Sequence, residues 1–480
     1  MKVKRLKMQS FRGIGDLTLE FDQTSPTVLI GINGVGKSSI LDCLAILLSQ
    51  MTAYIQNSSD SIRFFNNKDI SNGCEETHNE ITFFIENSQE VVLNITKISS
   101  GDIQESLTKN RELFQLSLLV KEKLRMQQIS NSEYQKLQPI LSSISPIIER
   151  EISDTVSSDN DKLATLASLQ YTKGLQAAVD TLRHQLENSS ETNIPLVVYY
   201  PVNRAVIDMP LEISEVNSFK QVDAYNQALT GGTIDFKTFF EWFRNREDLE
   251  NERRRDNSNY RHKQLEAVRQ AISSLIPEFS NLRVERSPLR MTVRKRSEKL
   301  IVNQLSDGEK CLLAIVGDLA RRLAIANPSL PDPLQGSGVV LIDEIELHLH
   351  PKWQRDIIPA LTRTFPNCQF IVTTHSPQVL SQVKPEGIYI LEKTDEGVVA
   401  KRPESSFGRD SNRILEDLMG VPARPQEIKD RLHELFRLID EGNLDGARQL
   451  SQEIADIIGL DEPELVKASV SIRRKEILKR

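Results

Sequence analysis

The sequence predicts an α/β fold, a mixed sheet with helices on both faces, and three stretches carry that reading. Residues 28–48, VLIGINGVGKSSILDCLAILL, run from a short apolar strand through a glycine-rich turn into apolar helical spacing. Residues 339–344, VVLIDE, form a buried-strand run that ends in two acids. Residues 370–376, FIVTTHS, deliver a second such strand into a polar turn. Continuous apolar runs of this length, bounded by turn residues, suit parallel strands covered on both faces.

The first stretch carries a motif. Gly31, Gly36, Lys37 and Ser38 complete the pattern G-x-x-x-x-G-K-[ST]. The glycines let backbone N–H groups turn inward around a polyphosphate, Lys37 places a cation at its outer phosphates, and the Ser38 hydroxyl can serve Mg²⁺. Asn33, Gly34 and Ser39 belong to the same loop and join the candidate binding set. A strand-to-helix turn without a ligand is the plain alternative. The flanking strand and the helical run of Ile40, Leu41, Leu44, Ile46, Leu47 and Leu48 favour phosphate binding.

Composition sets limits on function. With 39% hydrophobic and 26% charged residues over 480 positions, the chain reads as globular, with one large domain carrying insertions or two to three domains. Its net charge of −7 excludes a surface that is basic all over, so any DNA contact needs a local patch. No run reaches membrane-spanning length and the start, MKVKRLKMQSF, lacks a signal-peptide core, so a cytoplasmic protein without membrane contact is expected. Cys43, Cys74, Cys311 and Cys368 form no C-x-x-C pair and are expected to be reduced.

In chain order, residues 1–21 read as a hairpin turning near Gly13 and Gly15. Arg12 leaves this hairpin just before the loop strand, where a cation can reach nucleotide phosphates. Paired strands are expected over 80–86 and 91–98. Residues 103–188 turn helical and polar, with Leu113, Leu116, Val120 and Leu124 at helical spacing but no heptads sustained long enough for a coiled coil. PLVVYYPVNRA, 195–205, returns to buried strand with Arg204 at its end. Phe236, Phe239, Phe240 and Phe243 share one helical face, and 244–261 reads as the solvated continuation of that helix. Between Arg283 and Lys299 seven Arg or Lys residues face only Glu285 and Glu298, a basic strand face open to a DNA backbone or simply a charged edge strand.

The second half adds acid–base chemistry. Asp343 at a strand end can hold Mg²⁺ or its water, and Glu344 can take a proton from an attacking water. His375 follows the third strand as a polar switch residue. Leu305-Ser306-Asp307-Gly308-Glu309-Lys310 opens a helix with Ser306 or Asp307 as N-cap. Glu346, His348 and His350 have zinc-like spacing, but no cysteine or further ligand cluster lies near.

Taken in order, the phosphate loop, long insertion, LSDGEK, LIDE and TTH resemble the ABC-type P-loop ATPase heads of the SMC, RecF and OLD branch over residues 1 to about 391. The resemblance implies bound ATP and Mg²⁺, with Ser38 and Asp343 at the metal and Lys37, Glu344 and His375 as catalytic residues. It makes LSDGEK the signature segment, departing from the commoner LSGGQ at Asp307 and Glu309-Lys310 while keeping Ser306 and Gly308 for phosphate. The loop 345–350 then crosses a dimer interface, and two chains sandwich two nucleotides as a homodimer or higher oligomer. The family's phosphate-sensing glutamine is unassigned; Asp69 lies near its place.

The expected organisation is an N-terminal lobe with the phosphate loop (1–102), a helical insertion (103–190), a C-terminal lobe with signature, acids and histidine (191–420) and a helical extension (421–480). YYPVNRA, FFEWFRNRED, GRDSNRILEDLMG and the closing IRRKEILKR further resemble the ATPase subunits of Septu anti-phage systems, also found beside some retrons. That implies a small HNH endonuclease as partner. No D-x-D or H-N-H pattern follows His375, so a nuclease within the chain is not expected. A RecF-like or SMC-like DNA repair head without a nuclease is the alternative. In the extension, Leu432, Leu435, Phe436 and Ile439 form a helical face expected to bury against the head, a second subunit or a partner.

Overall fold

The apolar runs become strands of one six-stranded sheet, in the order β14 (Gly397–Lys401), β13 (Ile388–Thr394), β3 (Thr27–Ile30), β12 (Cys368–Thr373), β11 (Gly338–Ile342) and β7 (Leu196–Tyr200). All pairs from β13 to β7 are parallel, and only the edge strand β14 runs antiparallel. Parallel strands of this kind are buried on both faces, and every residue of β3, β7, β11 and β12 is buried. Their loops therefore emerge along a common C-terminal edge, where open α/β sheets bind ligands.

The computed structural model describes residues 1–56, 62–85, 89–99, 169–171, 173–188, 192–203, 219–232, 234–395 and 397–478. It divides into two units, Met1–Gly408 and Arg409–Arg480. The expected extension began at 421, so the contact boundary falls earlier, before the GRDSNRILEDLMG motif is complete. Most of the expected helical insertion, including Leu113 to Leu124, lies outside the described residues, as does Arg204. Its described end departs from an all-helical reading: Leu169–Tyr171 is a strand, β6, followed by helix α2 (Lys173–Asn188).

Within the first unit, the N-terminal hairpin β1 (Lys2–Gln9) and β2 (Leu17–Glu20) joins β4 (Glu76–Ile85), β5 (Gln89–Ile98) and β6 in an antiparallel sheet ordered β2-β1-β4-β5-β6. Gln369 in β12 stitches the two sheets: its amide accepts from Val3 N–H at 2.7 Å and donates to the Val3 and Asp22 carbonyls at 2.9 and 3.1 Å. Behind the phosphate loop, α1 (Lys37–Gln56) packs on β7, β11 and β12. It alone among the described helices is long and apolar enough to cross a membrane, and its apolar side chains are buried in this unit.

A third sheet, β8 (Phe279–Arg286), β9 (Leu289–Lys295) and β10 (Glu298–Ile301), stands with α3 (Phe236–Arg253), α4 (Lys263–Leu275) and α5 (Asp307–Ala326). The four phenylalanines of α3 are buried together with Trp242. The solvated reading of the same helix needs correction. Glu247 and Glu250 are buried, Glu247 accepting from Val284 N–H and Arg286, Glu250 from His262 N–H and Arg269. The basic face of 283–299 is largely neutralised as well. Arg286, Arg290, Lys295, Arg296 and Lys299 all carry carboxylate partners, and among the described residues only the exposed Arg283 and Arg294 of this face lack one.

After α6 (Pro351–Thr364) and the short α7 (Pro377–Leu380) of the first unit, the second unit holds α8 (Ser411–Asp417), α9 (Gln426–Glu441), α10 (Leu444–Ile458) and α11 (Pro463–Leu478). Gly442 ends α9 in the left-handed region at φ 82°, and Asn443 caps α10 by accepting from Gly446 N–H at 3.1 Å. Leu432, Leu435 and Ile439 of α9 pack with Ile454, Leu465, Ala468 and Ile472. The face expected to seek the head or a partner thus closes within its own three-helix bundle, because two neighbouring helices offer matching apolar stripes.

Candidate nucleotide site

Three loops meet at the C-terminal edge of the central sheet: the phosphate loop after β3, the acidic loop after β11, and the TTHS turn after β12 between them. The phosphate loop can form only with glycine at its entry. Gly31 has φ 149°, and a Cβ there would lie 2.5 Å from the Leu391 carbonyl oxygen. Asn33, Gly34 and Ser38 are exposed and Ser39 is half-buried. A Cβ at Gly34 would meet nothing within 4 Å, so the loop leaves room for a ligand.

Lys37 is the first residue of α1 and is buried. Its ammonium donates to the Gly31 carbonyl at 2.8 Å and the Ile32 carbonyl at 3.1 Å. Burial lowers its pKa, opposed by the negative charges of Asp343, Glu344 and Glu346. The lysine, after β3, and the acids, all after β11, therefore share one electrostatic environment.

Thr373 organises the acids. Its hydroxyl donates to Asp343 Oδ1 at 2.5 Å and accepts from Glu344 N–H at 2.7 Å. Asp343 N–H also donates to the Tyr200 carbonyl at 2.9 Å, so neighbours on both sides of β11 fix its backbone and carboxylate. Glu344 adopts φ 46°, a left-handed conformation that costs a non-glycine residue energy and recurs at functional sites. Glu346 bridges to the next loop, accepting from the Thr374 hydroxyl at 2.7 Å and from His375 N–H. His375 is half-buried. The zinc spacing does not describe these residues: Glu346 is engaged by the TTHS turn, and His350 caps α6 (Pro351–Thr364) by accepting from Lys352 N–H.

Arg12 is held by two carboxylates, donating to Asp69 Oδ1 at 2.7 Å and Asp42 Oδ2 at 2.6 Å. The expected approach to phosphate is thus met by competing ion pairs. Asp42 is shared with Arg63 at 3.1 Å, and Asp69 is buried and caps its own turn by accepting from Asn66 N–H. Sequence reasoning missed Asp42 and Arg63. The signal for the first was there, since Asp42 is the only acid in α1 and sits among its apolar residues Ile40, Leu41, Cys43 and Leu44.

The LSDGEK segment starts α5, with Ser306 as N-cap. Ser306 N–H and Oγ both donate to Glu309 Oε2, at 3.0 and 2.8 Å, and Glu309 Oε1 pairs with Lys295 at 2.6 Å. The departure from LSGGQ at Glu309 therefore closes a capping box. Burial would raise the Glu309 pKa, but Lys295 and Ser306 hold it below the ordinary value. Gly308 is required by close approach, because a Cβ would lie 2.3 Å from the His348 carbonyl oxygen. Among the described residues, the side-chain hydrogen bonds and ion pairs of Ser306, Asp307, Glu309 and Lys310 run to one another and to Lys295, none to the phosphate loop.

Residues 1–380 match the family described as the AAA ATPase domain, and the chain belongs to that family: it is an ATPase. Its relatives narrow this further. The retron Ec83 probable ATPase of Escherichia coli is 29% identical over 99% of this chain and 87% of its own length. The retron Vc95 probable ATPase of Vibrio cholerae serotype O1 biovar El Tor is 29% identical over 93% of this chain and 85% of its own. A shorter match, 33% identical, joins 22% of this chain to 28% of the Septu protein PtuA of Bacillus thuringiensis.

Proposed function

We propose that this chain is the ATP-binding and hydrolysing subunit of a bacterial anti-phage defence complex, and that ATP-dependent head dimerisation regulates a partner HNH endonuclease acting on DNA. The observation that carries the reading is the division of the site. Lys37 shares the field of Asp343, Glu344 and Glu346 at one sheet edge, while Ser306 and Gly308 are tied to Lys295, Glu309 and His348. A second chain supplies the missing half, presenting Ser306 and Gly308 to the nucleotide held by the first. Closure of this kind is a two-state element that nucleotide biases, and it is a means to gate an effector.

Within the closed site each group has a task. Backbone N–H groups of the phosphate loop and Lys37 hold the β- and γ-phosphates, Glu344 takes the proton of the attacking water, and His375 contacts the γ-phosphate. Thr373 keeps the two acids aligned. Ser38 and Asp343 fit Mg²⁺, being hard oxygen donors; among the described residues no group of three or more His, Cys, Asp or Glu could hold a metal. A site with one carboxylate and one hydroxyl suits an ion that keeps phosphate and water ligands. When bound, Mg²⁺ neutralises charge on the β- and γ-oxygens.

The nuclease link is what the resemblance of YYPVNRA, FFEWFRNRED and GRDSNRILEDLMG to Septu ATPase subunits implies, and it has a direct test. The purified chain is expected to cut no DNA in the presence of Mg²⁺. Co-expressed with an HNH-type protein encoded beside it, it is expected to form a complex whose cutting responds to ATP and to Glu344→Gln. Robust cleavage by the chain alone would contradict the reading, as would a partner whose cutting ignores both.

A further inference from the structure

The YYPVNRA segment places two tyrosines on opposite faces of β7, following strand alternation. Burial and the charges of Asp42, Asp343 and Arg63 act on Tyr199, on the nucleotide side. Tyr200 turns the other way. Its phenol donates to Asp318 Oδ2 at 3.0 Å, and both residues are buried. Asp318 lies in α5, about three turns and ~16 Å along the axis from the end that carries Ser306 and Gly308.

Around Asp318 the buried polar groups bond one another, leaving Arg321 Nε without a partner. Arg321 donates to its Oδ1 at 2.6 Å and Arg322 to its Oδ2 at 2.7 Å. Arg322 also donates to the Ala224 and Asn226 carbonyls at 2.7 and 2.9 Å, tying the helix to the turn after β7. All three charged side chains are buried. Burying an aspartate and two arginines carries a desolvation cost that apolar residues of similar volume avoid, so stability alone does not account for them. Directional bonds do what apolar contacts cannot: they set one rotation and one axial position of the helix on the strand.

That strand leads to the acids. The Tyr200 backbone pairs with β11, and its carbonyl accepts the Asp343 N–H at 2.9 Å. One residue therefore bonds the signature helix through its side chain and the metal-site aspartate through its backbone. We propose that Tyr200 is a positioning residue for hydrolysis, holding α5 in register with the β11 end so that nucleotide engagement at Ser306 and Gly308 is felt at Asp343 and Glu344. The inference rests on the composite site proposed above. The Tyr200 side chain is buried against Asp318, and its contribution is to turnover, not to affinity.

Tyr200→Phe removes the phenolic hydrogen bond while keeping the ring and leaves Asp318 with both arginines. The test compares wild type, Tyr200→Phe and Glu344→Gln for kcat, KM for ATP, nucleotide affinity and thermal midpoint. Tyr200→Phe is expected to lose about tenfold in kcat, the scale of a small misplacement of reacting groups. Its KM and nucleotide affinity are expected to stay within about twofold of wild type. Wild-type kcat in a folded Tyr200→Phe protein overturns the inference, and so does a loss of kcat matched by lost nucleotide affinity, which marks a structural role alone. Should Tyr200→Phe not fold, Arg322→Lys keeps the charge beside Asp318 but cannot reproduce the arginine's contacts to both carbonyls; the same kcat-selective loss is expected, and unchanged kcat overturns the inference. If wild type and Glu344→Gln turn over ATP equally, the assignment of Glu344 fails instead.

Discussion

Lys37→Ala is expected to weaken ATP binding by about 100-fold or more, as loss of two charge-assisted hydrogen bonds of about 1.5 kcal/mol each implies. The environment enlarges the effect. Lys37 is the cation in the field of Asp343, Glu344 and Glu346, so its removal leaves three carboxylates facing a polyanionic ligand. The loop itself should survive, because among the described residues Lys37 donates only to the Gly31 and Ile32 carbonyls and Ile32 is 67% exposed, where water can replace the ammonium. Nucleotide titration with a thermal melt separates the outcomes. Unchanged affinity would remove the phosphate loop from the mechanism, and lost affinity with an unchanged melt is the expected result.

Glu344→Gln is expected to bind ATP like wild type and to lose about 10²- to 10⁴-fold in turnover, the range for removal of a general base. An amide keeps the carboxylate's shape but cannot take the water's proton. Backbone placement is preserved, since Glu344 N–H donates to Thr373 Oγ1 independently of the side chain. Single-turnover hydrolysis alongside nucleotide affinity makes the check. Turnover near wild type would assign the base to another residue.

The strands and loops that build the site were legible because each is local: an apolar run, then a turn with glycines, two acids or TTHS. Their meeting was legible only through the family resemblance. What joins the loops is not local. Glu346 reaches the TTHS turn, Thr373 spans two strand ends, and Gly308 abuts His348, contacts that no periodicity reports. Arg12 was read for its charge, yet Asp42 and Asp69 come to it from distant positions. Likewise the sequence sets the basic strand against Glu285 and Glu298 alone, yet Glu247, Glu278 and Glu309 come to it from outside the segment. In the α9 stripe, spacing reveals that Leu432, Leu435 and Ile439 are buried, but only the fold reveals that α10 and α11 bury them.

The composite site is tested most directly by mixing two defective chains. Lys37→Ala removes the phosphate-loop half and Ser306→Arg obstructs the signature half, so neither homodimer keeps an intact site. Ser306→Arg is preferred to a change at Gly308, where a Cβ would clash with the His348 carbonyl of the same chain. A heterodimer of the two retains one intact site, formed by Lys37 of the Ser306→Arg chain and Ser306 of the Lys37→Ala chain. ATP turnover is expected to be lost in each variant alone and to return in part on mixing. Wild-type turnover by Ser306→Arg alone, or no recovery in heterodimers verified by mass, would contradict the account.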